Sequence, residues 1–186
     1  DSGVARDMIT DWGAYRHELL MRVGLDQRLM SRIIVTAQRE PKRVVFAEAD
    51  HPKILQAAQI VKTEGIAEPI LLGNVDRIKA IGAEYNVDCD KFEIIDPIHE
   101  EAKRQKFGKV LYEKRYRKGV SLVDGPKTMT SRNYFGAMMV ELGEADALIS
   151  GLTRDYPTTL RPALQIIGKE GGINRVAGMY IIQTKK

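Results

Sequence analysis

The chain has 186 residues, 44% of them apolar and 29% charged, enough for one sizeable core under an ordinary soluble surface. Lys and Arg outnumber Asp and Glu by 29 to 25, and a formal net charge of +4 suits an anionic small molecule as well as nucleic acid and decides neither. The single cysteine, Cys89, excludes an intramolecular disulfide, and His17, His51 and His99 are too scattered for a Cys/His metal cluster.

A reducing cytoplasm is the simplest location for such a chain. No apolar run approaches the roughly 20 residues of a membrane span. The opening DSGVARDMITDW lacks the basic-then-apolar pattern of a signal peptide. A start at Asp1 reads as an excised part of a longer protein.

In chain order, Asp11 to about Val23 places Trp12, Tyr15, Leu19, Leu20 and Val23 at helical spacing behind a possible Asp11 N-cap. A second helix is predicted from about Asp26 to Arg39, stopping before Pro41. Residues 1–40 thus form a helical arm ahead of any strand. Its apolar residues should bury against the domain or a neighbouring subunit.

The rhythm then changes. KRVVFAEAD (Lys42 to Asp50) is a β-branched strand that runs out into carboxylates, and His51 to Gly65 is an amphipathic helix with Pro52 in its first turn. The first strand proper is expected at Arg43–Ala47, and further strands at Pro69–Leu72, Phe92–Ile95, Ala147–Ser150 and Gly178–Ile182. Helices are expected at VDRIKAIGAEYNV, at Glu100 to Gly119, at about Thr130 to Gly143 and at Leu160 to about Lys169. Strands alternating with helices predict an α/β fold, a doubly wound parallel sheet with helices on both faces. A last strand running almost to Lys186 makes the domain, residues 41–186, look cut short before a second subdomain is complete.

The stretch SGLTRDYPTTLRPALQIIG (Ser150 to Gly168) joins a strand end to a helix. Ligands of open parallel sheets bind beyond the carboxyl ends of the strands. There Gly151 permits close backbone approach, and Thr158 or Thr159 can cap a helix whose N-terminus attracts anions. Arg154 and Arg161 add forked positive charge. The junction reads as a site for a phosphorylated or carboxylated ligand. The bland alternative, caps and solvated charges, stays open, because the spacing is neither a P-loop nor G-x-G-x-x-G.

Glu48 and Asp50 either bind a ribose or metal or cap the helix at Pro52. YEKRYRKG, with Lys114, Arg115, Arg117 and Lys118, is a solvated helix face or a steering patch for an acidic ligand. Met138 and Met139 belong in a core. Two neighbouring aspartates should raise the Cys89 thiol pKa, which argues against a nucleophile.

Four blocks, RVVFAEADHPKILQAA, LYEKRYRKG, NYFGAMMVELGEADALISG and TTLRPALQII, resemble the phosphate acetyl/butyryl transferase family in order and content, from about Pro41 to the end. With DSGVARDMITDWGAYRHELL ahead of it, the chain looks closer still to the phosphotransacetylase-like C-terminal domain of multimodular NADP-dependent malic enzymes. The resemblance implies an acetyl-CoA site near a cleft between subdomains. In active relatives phosphate attacks the thioester directly, so the protein supplies orientation and charge stabilisation. Carried over by motif, Ser150, Thr159 and Arg161 match the family's "SG…T-x-RP" segment, and Arg115 matches the arginine of its "LYE-x-R" block.

The chain departs from the family where transferases read SGA-x-H-S-T. Arg154 takes the histidine position, and Asp155 and Tyr156 replace small hydroxyl residues. A carboxylate there repels phosphate unless Arg154 neutralises it. The family's remaining catalytic residues lie further toward the C-terminus. The expectation is therefore an acetyl-CoA-binding regulatory domain of a homo-oligomeric malic enzyme, with no catalytic residue in the chain. NADP and a divalent metal would act only in other domains. The alternative is an active phosphate acetyltransferase. A nucleic-acid module is disfavoured, because no aromatic platform accompanies the basic helix Lys103 to Lys118, and no membrane partner is expected.

Overall fold

The computed structural model describes residues 11–13, 15, 25–173, 175, 176 and 178. Its first helix, α1 (Leu25–Arg39), ends ahead of Pro41, and Gln38 Nε2 donates to the Glu64 carbonyl at 2.7 Å. Leu29, Met30 and Ile33 remain exposed on it. Trp12 is 69% exposed, with the Tyr15 ring edge to face at 6.1 Å. Burial of the arm against its own domain is therefore corrected for Trp12; Leu19 and Leu20 lie outside the described residues.

Beyond the arm, β1 (Lys42–Phe46), α2 (Pro52–Thr63), β2 (Ala67–Leu72), α3 (Val75–Glu84) and β3 (Glu93–Ile95) alternate as expected. Next come α4 (Glu101–Arg115), the short α5 (Asp124–Thr128), α6 (Arg132–Glu141), β4 (Ala147–Ile149) and α7 (Tyr156–Ile166). Single 3-10 turns cover Cys89–Lys91 and Tyr116–Lys118. All strand pairs are parallel, in the order β3-β2-β1-β4. Of the fifth expected strand, only Gly178 is among the described residues.

The strand period of two sorts side chains to opposite faces. Val44, Phe46 and Leu71 point into a core with Leu55 and Ala58 of α2 and Ile78 of α3. Val45, Ile70, Leu72 and Ile95 point into the other core, with Phe107 and Leu111 of α4, Phe135 and Met138 of α6 and Ile166 of α7. Each buried apolar side chain contributes about 1.5–3 kcal/mol. Phe107 and Phe135 stack tilted, with ring centroids 4.9 Å apart. Met138 and Met139 are buried as expected.

One backbone contact has no counterpart in the sequence reading. Gly108 of α4 lies against Gly125 and Pro126 of α5 so closely that a Cβ on either glycine would overlap the other helix's backbone. Two helices meet this closely only through glycine.

Candidate functional site

The strand order sets the site. After β1 the chain winds to β2 and β3 on one side, then returns to place β4 on the other. The carboxyl ends of β1 and β4 therefore form the crevice where open α/β sheets bind ligands. Ala47 N–H donates to the Ile149 carbonyl at 3.2 Å, so the strands leave the sheet together and present Glu48 beside Ser150.

Glu48, 5% exposed, reaches across to the β4–α7 loop. Its carboxylate accepts from Leu152 N–H at 2.7 Å, Thr153 N–H at 3.3 Å and Thr153 Oγ1 at 3.1 Å. The capping alternative from the sequence does not hold, because the helix α2 cap is His51, whose Nδ1 accepts from Lys53 N–H at 3.2 Å. Burying this carboxylate is tolerable because three donors surround it.

The loop that Glu48 holds carries most of the predicted residues. Ser150 Oγ donates to Asn133 Oδ1 at 2.8 Å. Gly151 has φ +114°, a conformation that favours glycine. The cap of α7 is Asp155, not Thr158 or Thr159: its side chain accepts from Thr158 N–H at 3.4 Å, and Thr159 Oγ1 donates to its carbonyl at 3.2 Å. The Thr158 hydrogen bond holds the Asp155 carboxyl below its ordinary pKa against a weaker desolvation effect, with Arg161 as the contributing cation. The groups acting on the Asp155 carboxyl are thus its cap partner and Arg161, and Arg154 is not among them.

Arg154 instead stands between two cavities and lines both. One, of about 490 Å³, is walled by Val140, Leu148, Leu160, Ala163 and Ile167 with Ser150, Gly151 and Thr159 at its rim. The other, of about 590 Å³, is polar, and Glu48, Asp50, His51, Arg77, Arg132 and Asn133 line it together with Thr158. Arg115 closes α4 and Arg161 is exposed on α7; neither lines either cavity.

Sequence reasoning missed Arg77 and Arg132 of the polar cavity. Arg132 Nη1 and Nη2 donate to the two Asp50 oxygens at 2.6 and 3.2 Å, and Arg77 Nη1 lies 3.5 Å from Asp50 Oδ2. Burial alone would raise the Asp50 carboxyl. The hydrogen bond and charge of Arg132, with the charge of Arg77, overcome burial and hold its pKa below the ordinary 3.8. A carboxyl shifted down stabilises the fold above its unfolded pKa and loses that stabilisation as pH falls through its folded pKa. In acid unfolding followed by circular dichroism, wild-type stability should fall steeply below about pH 4, and Asp50→Asn should flatten that slope. An unchanged slope would show that the pair contributes nothing to folding.

Elsewhere the basic helix is tied down, with Lys114 on Glu141 at 2.5 Å and Lys106 on Glu144 at 2.9 Å. Burial, then Asp90 and Asp88, push the Cys89 thiol up, as expected. Among the described residues no helix is long and apolar enough to cross a membrane.

Comparison with known proteins places this architecture. A phosphate acetyltransferase of Thermoanaerobacterium thermosaccharolyticum is 39% identical over 156 residues, 84% of this chain and 47% of that protein. An NADP-dependent malic enzyme of Rhizobium meliloti is 32% identical over 183 residues, 97% of this chain but 24% of that protein. A phosphotransacetylase from Streptococcus pyogenes superposes with TM-score 0.76 at 31% identity, over 82% of this chain and 46% of that one. The chain thus spans about half the length of these transferases and about a quarter of the malic enzyme. The model of the phosphate acetyl/butaryl transferase family matches residues 28–186, and with the parallel sheet and its switch-point crevice this establishes that the chain belongs to that family.

Proposed function

We propose that this domain binds acetyl-CoA as a regulatory ligand within a malic enzyme that oxidatively decarboxylates malate with NADP in the cytoplasm. The observation that carries the reading is Arg154. It stands between an apolar and an arginine-lined cavity, and by the motif resemblance it takes the place of the transferases' histidine. An acyl-CoA is a long molecule with an apolar acyl end and a phosphate-bearing end. Two adjoining cavities of about 490 and 590 Å³ match that division in size and polarity. The similarity to a malic enzyme across 97% of the chain supports the same reading.

Ligand binding at the crevice would bias the assembly of a homo-oligomer. Coupling between such separate sites is typically 1–3 kcal/mol. NADP and the divalent metal belong to other domains in this reading, and no residue of this chain is assigned a catalytic role.

Calorimetric titration of the intact protein with acetyl-CoA tests this. Binding is expected together with a change in malate oxidation. Arg154→Ala should weaken binding by about tenfold or more, the loss of a charge-assisted hydrogen bond. No binding and no effect on malate oxidation would sink the proposal. Equal affinities for wild type and Arg154→Ala would remove Arg154 from the site.

The second reading, an active phosphate acetyltransferase, is favoured by several relatives named for that activity. It requires acetyl phosphate to form from acetyl-CoA and phosphate in the full-length protein. Absence of turnover there would reject it.

A further inference from the structure

We propose that the polar cavity at the β1–β4 switch point is a phosphate subsite, built from Arg77, Arg132 and the Asn133 amide and braced by Asp50. It rests on the acyl-CoA reading above and assigns that ligand's phosphate end to two arginines, Arg77 and Arg132, that lie outside the four blocks carrying the family resemblance.

Three elements converge on this cavity. Asp50 follows β1, Arg77 sits in the first turn of α3, and Arg132 and Asn133 open α6. A guanidinium has five N–H donors. Arg132 gives two of them to Asp50, so three remain, and the bidentate pair fixes their direction. Asp50 also lies beside Arg77 and so places two cations on one brace.

Asn133 is the second, independent observation. It is 7% exposed and lines the cavity. Its Oδ1 accepts from Ser150 Oγ, which leaves its amide N–H groups as donors. Those N–H groups are available to an acceptor in the cavity. The surroundings offer donors rather than acceptors. Ser131, the α6 N-cap residue, makes no side-chain cap, so the first-turn N–H groups of α6 add their positive end. His51 accepts through Nδ1, which leaves Nε2–H as its donor. The two acidic residues on the wall are already engaged, Glu48 by loop N–H groups and Asp50 by arginines. Arg77, Arg132 and Arg154 exceed them by one positive charge. A site with surplus donors and surplus positive charge fits a phosphate ester.

The test is calorimetry on the full chain with three probes: inorganic pyrophosphate, adenosine 3′,5′-bisphosphate and acetyl-CoA. Two variants carry it. Arg77 is 66% exposed, so Arg77→Ala removes a donor without threatening the fold. Arg132→Lys keeps a cation on Asp50 while losing the fork. Each should weaken all three probes by about 10-fold to 100-fold, whereas Arg117→Ala, on the distant 3-10 turn, should change none. Acetyl-CoA binding equally to wild type and both variants would overturn the subsite while leaving the acyl-CoA reading intact. Pyrophosphate and the bisphosphate binding in an Arg77-dependent way, without acetyl-CoA binding, would keep the subsite and discard the acyl-CoA reading. No binding of any probe would discard both.

Discussion

Gly108→Ala is expected to lower the unfolding midpoint by about 4–8 °C, although alanine is the better helix former. The favourable part is helix propensity, worth about 1 kcal/mol. Against it stands a methyl group overlapping the Pro126 nitrogen and the Gly125 carbonyl carbon, which are backbone atoms that no rotamer change can move. Overpacking a well-filled contact costs about 1–3 kcal/mol, occasionally more, and here α4 and α5 must separate to relieve it. An overlap this deep puts the steric cost at the upper end, about 3 kcal/mol, so it wins by about 2 kcal/mol, and in a domain of this size each kcal/mol moves the midpoint by about 2–4 °C. Gly171→Ala is the control. Nothing lies within 4 Å of its added methyl, so its midpoint should stay within about 2 °C. Equal midpoints for Gly108→Ala and Gly171→Ala would show that the helices separate at no cost.

Replacing Glu48 by Ala is expected to act on both stability and binding. Three donors, Leu152 N–H, Thr153 N–H and the Thr153 hydroxyl, lose their acceptor. Each buried donor left unpaired costs about 1–3 kcal/mol. Leu152 and Thr153 are exposed residues, so water recovers part of this, and a total near 2–3 kcal/mol is expected. Release of the loop also frees Arg154 from its place between the cavities, and acetyl-CoA affinity should fall by more than tenfold. Thr153→Ala removes only the hydroxyl and should cost about 1 kcal/mol. A double-mutant cycle between the two positions should show a coupling of about 0.5–1.5 kcal/mol in thermal unfolding. Additive effects would mean that Glu48 does not hold Thr153 in solution.

The sheet was legible because β-branched runs such as RVVF and PILL separate cleanly from helical stretches, and the four strands that fall on described residues lie within two residues of expectation. Helix α5 was not. DGPKT carries a glycine and a proline that argue against a helix, and the turn forms because Gly125 packs on Gly108. Local chemistry also misled at both caps. The hydroxyls of Thr158 and Thr159 and the carboxylates of Glu48 and Asp50 were the obvious candidates, but Asp155 and His51 sit at the residue where each helix turns in.

The site divides in the same way. Ser150, Gly151 and Arg154 could be read from a strand end followed by a helix start. Arg132 could not, because its partner Asp50 is 82 residues away and only the sheet order brings them together. Asn133 lay inside the quoted block NYFGAMMVELG, yet nothing in that run shows that its side chain faces the crevice rather than the core.

Glu48 grips the β4–α7 loop mainly by main-chain nitrogens at Leu152 and Thr153. Main-chain donors are the same whatever side chains the loop carries. The crevice therefore works like a socket that accepts different inserts. Substitutions at Arg154 or Tyr156 alter what is displayed without loosening the fixture that displays it, whereas Asp155 also caps α7.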